Sequence, residues 1–251
     1  MKFKHQTFVD VRRLDPYERR QLYFARNALA RLRHAGEETG LLTREAIRQQ
    51  GCCVFAAHAL VDVLQQSSFD ASLRACGLAF ATIHHGRING KLIGSPEAED
   101  VPFPGAIDGH AVVQLGKFIL DPTFGQLSDR TKKFPDTVIL APLQTQKRIT
   151  LVDGVDADQF AEIEWRNGRH GYFAGLYQLP AALEAAASSW NSNPSLAPEL
   201  RRPLVQRTLE LMSEPPHSGA SKRSNSRATS SAGISRTGST RRLSCQTARS
   251  S

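Results

Sequence analysis

Apolar residues recur along the chain at two spacings, and the switches between them mark out its elements. Leu22, Ala25, Leu29 and Leu32 fall on one face at the helical period. Asp15-Pro16-Tyr17-Glu18 supplies the start of that helix: Asp as N-cap, Pro at the first helical position and Glu three residues after the cap. Gly36 is expected to end it, and Thr43 to cap a short helix over 44–50. The run from Gly51 to Gln66 differs in kind, because it is apolar almost all round. Cys53, Ala57, Leu60 and Leu64 share one side of it, and Cys52, Ala56, Ala59 and Val63 the next. Only His58, Asp62, Gln65 and Gln66 form a polar stripe, on which His58 is expected to pair with Asp62. A helix of this pattern is buried on most sides.

After a turn over Ser67–Asp70, Ser72–Thr82 reads as a strand, and 84–109, rich in Gly, Pro, Asn and charge, as a long loop. The span from Gly109 to Thr123 is a hairpin: two β-prone runs flank Gly116-Lys117, and Gly in the first turn position suits a type II′ turn. Such a turn pairs Leu115 with Phe118 and, counting back, puts His110, Val112, Asp121 and Thr123 on one face. Val138–Ala141 and Arg148–Val152 read as further strands. Asp156 is expected to cap a helix through Glu164, followed by an aromatic run over Trp165–Tyr177. Pro180–Trp190 reads as an alanine-rich helix, and Pro198–Met212 as an amphipathic helix interrupted at Pro203.

Composition changes the picture only at the end of the chain. Lys and Arg number 32 against 24 Asp and Glu, in 251 residues. From Ser213 onward seven basic residues face one acidic residue, so this segment holds six of the eight formal positive charges. It is otherwise Ser, Arg, Thr and Gly, which cannot bury enough surface to offset ordering, and it is expected to be disordered. Charge alone would let it hold nucleic acid or an anionic surface, although it lacks aromatics for base stacking. Arg241-Arg242-Leu243-Ser244 also resembles a site for a basophilic kinase.

Four cysteines, two of them adjacent, do not form a disulfide framework, and no metal-ligand spacing such as C-x-x-C occurs. The N-terminus has no apolar signal region, and no apolar run is long enough to span a bilayer. The expected compartment is the cytoplasm, with no metal or organic cofactor.

The candidate chemistry is that of a thiol. A cysteine in the first turn of a helix sits among unpaired N–H groups at the positive end of the dipole, which favours thiolate. A histidine opening a strand and a carboxylate on the paired strand supply a base and its orienting acid. Taken alone, Cys53 reads as a buried structural residue; joined to the His110–Asp121 hairpin, it reads as a nucleophile. Cys52 ranks second. Cys76 reads as core, Cys245 as incidental, and His84 and His85 as loop residues.

Gly51-x-Cys53 with Ala57 and Leu60, then Gly109-His110-Ala111-Val112-Val113 and Asp121-Pro122-Thr123-x-x-Gln126, resembles the transglutaminase-like branch of the papain-like fold, small bacterial members in particular. The resemblance implies an α+β fold with the nucleophile helix packed on an antiparallel sheet. It implies Cys53 as nucleophile, His110 as base and Asp121 as orienting acid. Val112 stands where an aromatic residue often follows His-Ala in that family. Gln50 and Gln126 are candidate oxyanion or substrate contacts, Gln49 a weaker alternative to Gln50, and His170 a further candidate for substrate contact.

The organisation expected is a catalytic domain over 1–190, an accessory helix over 191–212 and a tail over 213–251. The expected activity is cysteine peptidase or amidase hydrolysis of a peptide, isopeptide or amide bond in a peptide, protein or small amide, or acyl transfer to an amine. Two other readings stay open: an inactive transglutaminase-like binding module, and an adaptor that holds nucleic acid or an anionic surface through its tail.

Overall fold

The capping signal at Asp15 works as its chemistry dictates. In the computed structural model the Asp15 side chain accepts from the Glu18 N–H at 2.8 Å, and Glu18 accepts from the Asp15 N–H at 3.0 Å. Helix α1 runs from there over Pro16–Glu38. The residues described are 4–7, 9–43, 52–84, 87–93, 109–124, 137–150, 156–167, 171–181, 183–184, 190 and 193–214. They belong to one unit, residues 1–215. The expected short helix over 44–50 and the tail from residue 215 onward, with Cys245 and the Arg241–Ser244 motif, lie outside them, as does His85.

Helix α1 does not stop at Gly36. It continues for two residues to Glu38, and Gly40 with φ of +74° turns the chain away. Gly36 instead allows a close approach, since a Cβ there would lie 2.4 Å from Cβ of the fully buried Leu42. Helix α2 is Cys52–Gln66, and Ser68, with φ of +64°, marks the turn after it. Helix α3, Pro198–Ser213, runs unbroken through Pro203, which removes one donor near the start of the helix without ending it.

Among the described residues nine strands make one sheet: β1 (Lys4–Thr7), β2 (Ala71–His84), β3 (Arg87–Ile93), β4 (His110–Leu115), β5 (Phe118–Asp121), β6 (Thr137–Pro142), β7 (Gln144–Thr150), β8 (Asp156–Asn167) and β9 (Gly171–Gln178). Their order is β1-β6-β5-β4-β2-β9-β8-β7, with β3 also on β2. Every pair but β1–β6 is antiparallel. Contact between β6 and β8 brings the two limbs together, so the sheet is nearly closed and barrel-like. The class is thus mixed helix and antiparallel sheet.

Two expectations fail here, both for want of a visible pairing partner. The stretch read as a helix from Asp156 is strand β8. Its Phe160, Ala161 and Ile163 are buried while Glu162 and Glu164 are exposed, close to period two, and β9 and β7 flank it. The aromatic run likewise yields β9, beginning at Gly171. Part of the expected loop over 84–109 is strand β3, which lies along β2 from Leu78 to His84.

Alternation splits the sheet into two cores. Ala71, Ala111, Val113, Leu115, Phe118, Leu120 and Leu140 face the helices, sharing one cluster with Leu22, Leu29 and Leu32 of α1, Leu60 and Leu64 of α2, and Leu204 and Leu211 of α3. Each such leucine contributes roughly 1.5–3 kcal/mol by leaving water. Cys76, Leu78, Val112, Ile119, Ile139, Ala161, Ile163 and Tyr177 form the inner cluster. Of the expected Pro180–Trp190 helix, Ala181, Leu183 and Glu184 are helical and Trp190 lies in a 3₁₀ turn.

Gly36→Ala tests the close approach. Helix propensity favours alanine by about 1 kcal/mol, but Leu42 Cβ moves only with its backbone, and overpacking of this kind costs about 1–3 kcal/mol. The variant is expected to have a lower urea midpoint with an unchanged m-value.

Candidate active site

The hairpin that carries two of the candidate residues forms in the expected register, Leu115 opposite Phe118. Gly116 has φ of +55°, and Lys117 is not in the left-handed region, as a type II′ turn requires. Two contacts pin the turn: the Leu143 N–H donates to the Lys117 carbonyl at 2.7 Å, and Lys117 Nζ pairs with Glu18 Oε1 of α1. Register then fixes what lies opposite what. His110 opens β4 and sits across from Cys76 of β2; Asp121 closes β5 beside Ile139 of β6. Period-two alternation puts His110 and Asp121 on the inner face with Val112 and Ile119.

Asp121 is fully buried, so its charge depends on hydrogen bonds. Oδ2 lies 2.8 Å from His110 Nε2 and accepts from the Tyr177 hydroxyl at 2.8 Å. Oδ1 accepts from the Thr123 N–H at 2.8 Å and from its hydroxyl at 3.3 Å. The first of these is an Asx-turn, and Pro122 inside it has no N–H to compete, which is the local logic of the Asp-Pro-Thr string. Burial alone would raise the Asp121 pKa, but the His110 charge and these donors hold it below the usual carboxylate value.

Cys53, in the first turn of α2, interacts electrostatically with the imidazole of His110 and adds to the rise in its pKa. Nε2 faces a carboxylate, which only accepts, so it carries hydrogen. Burial pushes the imidazole down; the Asp121 charge and hydrogen bond, followed by Cys53, outweigh it and raise His110 to about 10. Cys53, His110 and Asp121 are therefore joined in one chain of contacts.

The other cysteines are set apart from this relay. Burial, reinforced by Cys53 and opposed by Arg33, pushes the Cys52 thiol up to about 12. Cys76 is fully buried and, chiefly for that reason, also raised well above its ordinary value. Both are thiols at neutral pH, and reactive nucleophiles are thiolates.

Gln49, Gln50, Gln126 and His170 lie outside the described residues. The expected His58–Asp62 pair is not formed. Asp62 pairs instead with Arg201 of α3, a residue far off in sequence. His58 Nε2 is buried without a partner; burial first, then Arg201, lowers its pKa against the smaller pull of Asp62. The sequence reading missed Tyr177 altogether. Its hydroxyl reaches Asp121 only because β9 pairs with β2, and nothing local to Gly175-Leu176-Tyr177 signals that. Among the described residues no helix is long and apolar enough to cross a membrane. No protein-family model, no curated protein and no solved structure matches this chain.

Two substitutions probe the relay without any substrate. In Asp121→Asn, burial of His110 loses its main opponent, and titration of the ring followed by NMR is expected to fall from about 10 to near or below its ordinary 6.5. In Tyr177→Phe, Asp121 loses a donor, at a cost of about 1.5–3 kcal/mol for a hydrogen bond to a charged group. Asp121 stabilises the fold above its unfolded pKa, near 3.8, and that contribution is lost as pH falls through the lower folded value. Tyr177→Phe raises the folded value, so its acid unfolding midpoint is expected at higher pH than that of the parent protein.

Proposed function

We propose that this chain is a cysteine hydrolase or acyltransferase of the papain-like, transglutaminase-like kind, with Cys53 as nucleophile, His110 as base and acid, and Asp121 as the orienting carboxylate. One observation carries the reading: a fully buried carboxylate holds the His110 imidazole at 2.8 Å, and a helix-start thiol acts on that same imidazole. Raised to about 10, His110 is an imidazolium at neutral pH, so the site rests as an ion pair in which the ring already holds the Cys53 proton, and the thiolate attacks the carbonyl carbon of a peptide, isopeptide or amide bond. Charge moves to the carbonyl oxygen, and the Cys53 N–H, in the first turn of α2 where N–H groups have no intrahelical acceptor, is the donor that would receive it. The imidazolium returns its proton to the leaving nitrogen as the C–N bond breaks, leaving a thioester. Water or an amine then gives its proton to His110 and attacks the thioester, and the C–S bond breaks to release the thiolate, restoring the thiolate–imidazolium pair. Asp121 stays ionised throughout, stabilising the cation and fixing Nε2 as the protonated nitrogen. Tyr177 and Thr123 hold that carboxylate in place.

The test is pH-dependent alkylation of the full chain with iodoacetamide, followed by peptide mapping. Cys53 is expected to be labelled well below the pH at which Cys52 and Cys76 react, and His110→Ala is expected to remove that lead. Equal behaviour of the three cysteines overturns the reading. On an amide substrate, His110→Ala is expected to lower kcat/KM by about 100- to 10,000-fold. Because the acid form of His110 must protonate the leaving nitrogen, the parent rate should fall as pH rises through about 10. Adding a primary amine separates transfer from hydrolysis by product mass.

A further inference from the structure

Residues 11–34 carry seven arginines against Asp15 and Glu18, a local formal charge of +5. Only Arg33 of these arginines is buried. Arg19, Tyr23 and Arg26 stand at i, i+4 and i+7, with Arg20 three residues before Tyr23, so all four share the outward side of α1. Arg12, in the 3₁₀ turn ahead of the helix, is exposed too. Tyr23 is 78% exposed and Tyr17 61%.

Fold stability does not account for this surface. Arg19 and Arg20 lie near the positive end of the α1 dipole, which suits the Asp15 and Glu18 carboxylates there and disfavours cations. Among the described residues Arg12, Arg20 and Arg26 pair with no carboxylate, although Arg13 pairs with Asp10 and Glu18 with Lys117. Among the described residues these three arginines therefore have no carboxylate to offset their mutual repulsion.

We propose that the outward face of α1 binds single-stranded nucleic acid. Guanidinium groups match phosphate oxygens in a two-pronged geometry, and this face carries arginine and no lysine. An exposed tyrosine ring ringed by arginines gives an unstacked base a platform while the cations hold the flanking phosphates. The rise from Arg19 to Arg26 is about 10 Å, enough for adjacent phosphates on either side of one stacked base. A bilayer is a poorer occupant, because the apolar side of α1 (Leu22, Ala25, Leu29, Leu32) is spent on the core and cannot enter lipid.

Fluorescence anisotropy of a labelled oligouridine with the full-length chain, taken through a salt series, tests this. Neutralising three or four phosphates gives a slope of log K against log salt of roughly −2 to −3 for a single strand. Arg20→Gln and Arg26→Gln are each expected to flatten it by about 0.7. Tyr23→Ala should weaken binding about 5- to 150-fold, and Tyr23→Phe should restore it. These side chains are exposed, so an unchanged melting temperature confirms that each variant is folded. The proposal is overturned by no binding at low salt, or by α1 variants that bind like the parent while Arg241→Glu/Arg242→Glu in the tail abolishes binding. It is equally overturned if duplex or phosphatidylserine vesicles bind as tightly and Tyr23→Ala changes nothing.

Discussion

A carboxylate removed wholly from water must have its charge answered by the protein or give it up. Asp121 keeps its charge because donors from two strands and one turn converge on its two oxygens. Much of the architecture is what this convergence requires. The hairpin sets the imidazole diagonal to the carboxylate, the Asx-turn closes the far oxygen, and β9 delivers a phenol from the other side of β2. Had any of these strands slipped by one residue, the inner and outer sets would exchange, and Asp121 would face the apolar undersides of the helices.

Strand β2 makes the convergence possible. Its first half pairs with β4 and its second with β3, while β9 runs along the opposite edge from Gly77 to Ile83. His110 and Tyr177 are thus each tied to this strand within a few residues of one another, through Cys76 and Leu78. Helix α2, packed on β2 and β4, adds the thiol at its first turn. The candidate site is a meeting of α2, β4, β5 and β9, and no one of them carries it.

Legibility in the sequence followed how local each constraint is. The Asp15 capping box and the Gly116 turn are settled by residues within a few positions, and both were readable, down to the Leu115–Phe118 register. The buried helix was readable from its apolar circumference. Strands β8 and β3 were not, because a strand is stabilised by neighbours that only the fold supplies. Asp156 offered a helix cap that long-range pairing overrode. The His58–Asp62 spacing offered a pair that Arg201, arriving on α3, outcompeted with a permanent charge. The closeness of His110 to Asp121 was legible from the hairpin register, whereas Tyr177 became visible only through the ladder that carries it.

The division of labour along β2 has a mechanical side. Its ladder with β4 ends at Cys76 and its ladder with β3 begins at Leu78, so the two occupy the same edge without sharing a rung. The β3 hairpin can therefore breathe or fray while every rung beside His110 stays closed. The opposite edge has no such insulation: parting β9 from β2 withdraws the phenol from the buried carboxylate. One strand thus borders the site with a free margin on one side and a fuse on the other.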